Sequence, residues 1–231
     1  YLKRLVVGGF ERVYEVNRNF RNEGISTHHN PEFTMLEFYW AYASYEDLME
    51  LTEEMLEGVA RRVGGGTSLP FGEATVDWSR PWRRLSMRDA ALQYGGLDPA
   101  ALGERAALEA TARRLGVADV SRLSPGKLLA ELFEATAESR LRDPTFITDF
   151  PADISPLAKR KPSQPELTER FELYVGGMEL ANAFTELNDP DDQRARFEEQ
   201  VRLGGGVVDE DYVRALEHGM PPTAGEGIGI D

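Results

Sequence analysis

The 231-residue chain contains no cysteine. That excludes a disulfide scaffold and any thiolate-ligated zinc, and it suits a reducing compartment such as the cytoplasm. Histidine is scarce: His28 and His29 adjoin, and only His218 stands elsewhere. A structural zinc site needs four nitrogen or sulfur ligands, so the pair reads as loop chemistry rather than a metal centre. No apolar run approaches the ~18 residues of a membrane span, and the first residues lack the pattern of a secretory signal. Positive charge is also short. With 26 Lys and Arg against 40 Asp and Glu, the net charge is −14, which disqualifies the surface as a whole from serving as a polyanion platform. Any polyanion must meet local arginines.

What is present is ordinary in bulk: 41% hydrophobic and 29% charged residues, enough apolar content for a substantial core. The acidic residues are uneven. Residues 46–57 hold Glu46, Asp47, Glu50, Glu53, Glu54 and Glu57 with no base. Ser44 with Asp47 reads as the N-cap and capping box of a helix that ends at the glycines 64–66. Its apolar stripe is Leu48, Leu51, Met55 and Val59, and the acidic run is its solvent face.

Two segments, FERVYEVNRNFR (10–21) and FTMLEFYWAY (33–42), are rich in β-branched and aromatic residues and flank the turn-rich GISTHHNPE. They read as antiparallel strands joined by a long polar loop. Strand parity puts Arg21 and Glu23 on one face of the first strand, and Phe33, Met35, Glu37 and Tyr39 on one face of the second. Leu36, Phe38 and Trp40 then turn the other way, into packing. Residues 67–85 read as irregular. From 86 to 143 an Ala-, Leu-, Glu- and Arg-rich stretch predicts three helices, two with proline just inside the start, as a helical insertion between two halves of a sheet domain. The sheet resumes at 145–154 and 170–187, and Asn188-Asp189-Pro190 opens a helix to about Val201. A short helix, EDYVRALEHG, precedes GEGIGID, which lacks the lysine and spacing of a phosphate-binding loop.

Two polar clusters lie in these strands. Arg21, Glu23, Glu37 and Tyr39 form one. In FELYVGGMELANAFTEL, Asn182, Phe184 and Glu186 share parity, and Glu172 and Glu179 flank a Gly-Gly turn. Carboxylates in apolar strands are costly unless they meet a cation or a donor-rich ligand. Ion pairs with Arg18 or Arg170 are the alternative for either cluster alone.

Arg21-Asn22-Glu23, a loop, His29, then Phe33 and Glu37 resemble the second signature motif of class II aminoacyl-tRNA synthetases. The stretch from FERVYEV to YASY is similar to the lysyl-tRNA synthetase version. So are PTFITDFPADISPLAKR and LTERFELYVGGMELANAFTELNDPDDQ, and GEGIGID is similar to the start of the third motif. The resemblance implies an α+β fold: an antiparallel sheet flanked by helices, forming one partial catalytic domain over 1–231. The second motif lies at about 10–42, the insertion at 86–143, and a second sheet half with an incomplete third motif at 144–231.

It also implies an ATP-dependent ligase that activates lysine as an adenylate and transfers it to tRNA(Lys). Arg21 would be catalytic and hold the α-phosphate, where a planar guanidinium suits charge on a transferring phosphoryl group. Glu23 would accept from the adenine amine, His29 would meet the outer phosphates, and Phe33 would stack on the adenine. Glu37, Tyr39, Asn182 and Glu186 would hold lysine, whose ammonium calls for negative groups. Glu172 and Glu179 would hold Mg2+, a hard cation suited to oxygen ligands. The resemblance further implies a homodimeric cytoplasmic parent with an anticodon-binding domain upstream. A substrate-binding glutamate would precede Tyr1 and an ATP-binding arginine would follow Asp231, so the isolated segment is expected to be poorly active. Rival readings are a paralogue that lysylates a translation factor, a lysine-transferring lipid-modifying fusion, and a non-catalytic amino-acid or RNA-binding module. Survival of Arg21, Glu23 and the paired carboxylates favours the catalytic readings.

Overall fold

The computed structural model describes residues 1–21 and 30–231, so Glu23, His28 and His29 lie outside the described residues. The chain opens with a short helix, α1 (Leu2–Val7), then pairs β1 (Arg12–Phe20) with β2 (Glu32–Ala41). Helix α2 (Tyr45–Gly64) follows. Its start is a reciprocal capping box: Ser44 N donates to the Asp47 carboxylate at 2.7 Å, and Asp47 N faces Ser44 Oγ at 3.5 Å.

The stretch expected to be irregular instead holds β3 (Ser68–Phe71), β4 (Ala74–Asp77) and β5 (Arg83–Ser86). Gly72, at φ +60°, turns the β3–β4 ribbon. A two-stranded ribbon has free edges, which is where Pro70 is tolerated. Helices α3 (Met87–Gln93), α4 (Arg105–Arg114) and α5 (Pro125–Thr136) fill the predicted helical stretch. The second differs from expectation at its start. Pro99 opens a separate 3-10 turn, Pro99–Leu102, and α4 begins only after Gly103.

Strands β6 (Thr145–Thr148), β7 (Arg160–Lys161), β8 (Gln164–Thr168), β9 (Arg170–Val175) and β10 (Met178–Thr185) come next. Gly176 and Gly177, both at positive φ, make the β9–β10 turn. Helix α6 (Pro190–Gly204) is capped by Asp189, which accepts from Asp191 N and Asp192 N. It runs past the expected end at Val201. Helix α7 (Glu210–Glu217) and β11 (Thr223–Gly229) complete the order.

The large sheet has the order β1-β2-β11-β10-β9-β6-β5 and is antiparallel except for the β5–β6 pair. Helices accompany it, as the fold class expected. The chain divides into two compact units: residues 1–48, 155–170 and 181–231, and residues 49–154 with 171–180. In the first, the core joins Leu2, Val6, Tyr39, Ala41, Tyr212, Leu216 and Met220. In the second, Phe133, Phe146, Ile147, Phe171, Ala90, Ala91 and Ala130 are buried. Among the described residues no helix is long and apolar enough to cross a membrane.

Two expectations about faces are corrected. Leu36, Phe38 and Trp40 are only partly buried, and their register partners Val16 and Tyr14 are exposed. The well-buried face of β2 is the opposite one, where Tyr39 and Ala41 meet α1 and α7. On α2, Glu53 is not part of the solvent face. It is 5% exposed and accepts from the Trp82 N–H at 3.1 Å, while Val59, expected to be buried, is exposed. A strict stripe misses this, because a carboxylate can be buried once a backbone donor meets it.

Candidate active site

In the first unit, strand register assembles a polar floor. Phe184 pairs with Gly225, which pairs with Tyr39; Asn182 pairs with Gly227, which pairs with Glu37. Residues directly opposite in adjacent strands project to the same face. Alternate glycines therefore strip side chains from the middle strand, and the flanking strands close over the gap. A Cβ on Gly225 would lie 2.4 Å from the Tyr39 ring and 2.5 Å from Glu186 Oε1. That glycine lets Tyr39 and Glu186 meet.

Glu186 is 1% exposed, and burial pushes its carboxyl up to about 7, although the Lys3 ammonium beside it favours ionisation. Lys3 Nζ lies 2.5 Å from Glu186 Oε2. The same ammonium sits 5.7, 5.4 and 5.7 Å from the ring centroids of Tyr39, Phe184 and Tyr212. Burial alone would lower the Lys3 pKa, but the negative groups around it, Glu186 foremost, outweigh burial and raise it. Tyr39 donates its hydroxyl to Glu37 at 2.6 Å, and burial followed by the two carboxylates pushes its phenol far up. The result is an ammonium cage of two carboxylates and three aromatic rings.

Asn182 Oδ1 accepts from Arg170 Nε at 3.2 Å, and Arg170 also donates to Ser155 Oγ. Arg18 pairs with Glu32 rather than with the floor. Arg21 is exposed at the end of β1, its guanidinium 5.2 Å from the Phe33 ring centroid. Phe33 shares the face of Glu37 and Tyr39 by register, so the structure brings Phe33, Glu37, Tyr39, Asn182 and Glu186 onto one side of this unit's strands.

In the second unit, Glu172 is 8% exposed and accepts from the Tyr174 hydroxyl at 2.6 Å. Burial pushes the Tyr174 phenol up, and Glu172, Glu179 and Glu138 add to it in that order. Glu172 and Glu179 thus face one phenol. Among the described residues no group of three His, Cys, Asp or Glu could hold a metal by itself. Two carboxylates fit Mg2+, which is commonly held by one or two carboxylates together with substrate phosphates.

The family model for tRNA synthetases class II (D, K and N) matches residues 1–231. This chain belongs to the class II tRNA synthetases of that group. A lysine–tRNA ligase of Chromohalobacter salexigens is 56% identical over the whole chain, which covers 47% of that protein. Those of Psychromonas ingrahamii and Thioalkalivibrio sulfidiphilus are 54% and 53% identical, again over the whole chain, with 47% and 48% of each protein covered. The chain spans about half the length of the curated relatives it matches. These relatives carry the name lysine–tRNA ligase.

Three contributors to this candidate site went unread in the sequence. Lys3 lies on a six-residue helix, too short for periodicity to reveal. Tyr212 lies on α7, whose amphipathic pattern announces a buried face but not what it faces. Gly225 was legible in principle, since glycine at every second position of GEGIGID empties one strand face.

Proposed function

We propose that the protein containing this chain activates lysine with ATP to form lysyl-adenylate and transfers the lysyl group to tRNA(Lys). The observation that carries this reading is the cage around Glu186, which already holds a primary ammonium between a carboxylate and three rings. In the first step a substrate carboxylate oxygen attacks the α-phosphorus of ATP, and the bond to the bridging oxygen breaks, releasing pyrophosphate. Glu186, Glu37 and Tyr39 fix the side-chain ammonium, and Asn182 orients the amino acid. Arg21 binds the α-phosphate and stabilises charge there, and Phe33 stacks on the adenine. Glu23 and His29, outside the described residues, take the adenine amine and outer phosphates.

Glu172 and Glu179 are the residues that would hold Mg2+, which supplies charge neutralisation to the phosphates when bound. In the second step a terminal ribose hydroxyl of tRNA(Lys) attacks the acyl carbon and AMP leaves. The parent acts as a cytoplasmic homodimer on ATP, lysine and tRNA.

The test is lysine-dependent pyrophosphate exchange by the full-length protein. A site that pairs a polar group rejects its deletion by roughly 10⁴-fold, so norleucine should be activated that much less efficiently than lysine. Comparable exchange with norleucine would refute the reading. Arg21→Ala should slow exchange by about 10²–10³ through loss of one transition-state contact, and Arg21→Lys should not rescue it.

A further inference from the structure

The group in the ammonium cage belongs to the chain itself. Lys3 Nζ makes the ion pair with Glu186, and Glu186 Oε2 has no other polar partner among the described residues. Glu37, Tyr39, Phe184 and Tyr212 complete the surroundings of that same ammonium. A side chain that ends in a primary amine on a four-carbon stem is chemically the side chain that the cage would take from a lysine substrate.

Two ammonium groups cannot share one carboxylate oxygen and the same ring faces without strong like-charge repulsion in a poorly hydrated site. One must leave. Lys3 can do so cheaply: α1 is anchored by Leu2 and Val6 in the core, so the Lys3 stem can swing outward by its own rotamers without moving the helix. Its side chain keeps 15% exposure, an outlet to solvent that Glu186, at 1%, lacks.

We propose that Lys3 is an internal competitor for the side-chain subsite, its ammonium occupying the cage in the free protein and giving way only to a ligand that brings an ammonium of its own. This rests on the assignment of the cage as the lysine subsite. Any ligand entering the cage must displace the same Lys3 ammonium, so the competitor lowers the apparent affinity of all of them by one factor and sets the threshold for binding. The choice of lysine is made in the bound state, where lysine restores the pair it breaks and a neutral isostere leaves Glu186 buried without a cation.

The test uses the full-length protein with free lysine and norleucine as probes. If Lys3 holds the cage about nine-tenths of the time, removing it should tighten apparent lysine binding by about tenfold. Calorimetric titration of Lys3→Met should therefore show tighter lysine binding than wild type, with the preference for lysine over norleucine unchanged. In the unaltered protein, acetylation of Lys3 by a water-soluble N-hydroxysuccinimide ester, normalised to Lys127 and Lys159 and read by mass spectrometry, should accelerate when lysine saturates the site. Norleucine at the same concentration should not produce that acceleration, because it does not fill the cage. Equal or weaker lysine binding by a folded Lys3→Met, or Lys3 labelling that lysine slows or leaves unchanged, would overturn the competitor role while the subsite reading stands. Absence of lysine binding by both proteins would overturn the two together.

Discussion

Arg196 on α6 and Lys3 on α1 are both cations held inside the same unit, and they are held in different ways. Arg196 donates to both oxygens of Asp192, at 3.0 and 2.7 Å, and to the carbonyls of Ser155 and Ala158. Every one of those partners is fixed by the helix or by the loop it ties down. Lys3 has one short ion pair and three ring faces, and its partner Glu186 is almost wholly buried. A planar fork with four hydrogen bonds made is an architectural tie. A point charge on a flexible stem, set against a carboxylate with no second donor on Oε2 among the described residues, can be exchanged for another cation. The contrast separates a group that holds the fold from one that holds a place for a ligand.

Stability should divide the two most clearly. Arg196→Met strips donors from two buried carbonyls and from the partly exposed Asp192, and should destabilise the fold by about 2–4 kcal/mol, chiefly the cost of leaving two buried acceptors unmet. Lys3→Met should cost much less, because Glu186 can take up a proton in place of its cation. Denaturant unfolding of both variants measures this, and equal losses would erase the distinction.

A pH dependence follows from the Glu186 carboxyl, which burial pushes from 4.5 to about 7, with Lys3, Glu37 and Tyr39 facing it and Tyr212 close by. Below 4.5 both folded and unfolded states keep this proton; between 4.5 and 7 only the folded state does. Stability from this group is therefore present at low pH and lost as pH rises through about 7, by about 3 kcal/mol in all. Wild type minus Glu186→Gln, measured by unfolding from pH 5 to 8, should show that downward slope. A flat difference would mean that Glu186 is better solvated than its burial implies.

The floor offers the finest comparison. A Cβ at Gly225 would meet the Tyr39 ring and Glu186 at 2.4–2.5 Å, whereas at Gly227 the nearest atom is the Met35 sulfur at 3.3 Å. Gly225→Ala should cost about 1–3 kcal/mol, as overpacking does, and should raise KM for lysine. Gly227→Ala should be milder in both, since a methionine stem gives way easily. Reversed effects would place the pocket floor elsewhere.

Much of this was legible in the residues. Parity alone puts Phe33, Glu37 and Tyr39 on one face, and Asn182, Phe184 and Glu186 together, because a strand alternates faces by covalent geometry. Parity does not say which face is buried. That depends on what α1 and α7 place over Tyr39, so Leu36, Phe38 and Trp40 were expected in the core and found partly exposed. The β3–β4 ribbon escaped because its strands are four residues each and contain Pro70. The three-helix stretch was readable from composition and caps, but Gly103 broke the second helix where periodicity ran through. Lys3 was beyond reach, since a lysine on six residues of helix reads as a solvated charge until its neighbours in space are known.

The central claim is that the Glu186 cage recognises a cationic side chain, and lysine-dependent pyrophosphate exchange by full-length Glu186→Gln tests it most directly. The amide keeps the shape and removes the charge. The account predicts a loss of lysine-dependent exchange of roughly 10³-fold or more, because the amide leaves the ammonium without its buried countercharge, while ATP binding is unchanged. Exchange within a few-fold of wild type, with lysine still preferred over norleucine, would contradict it.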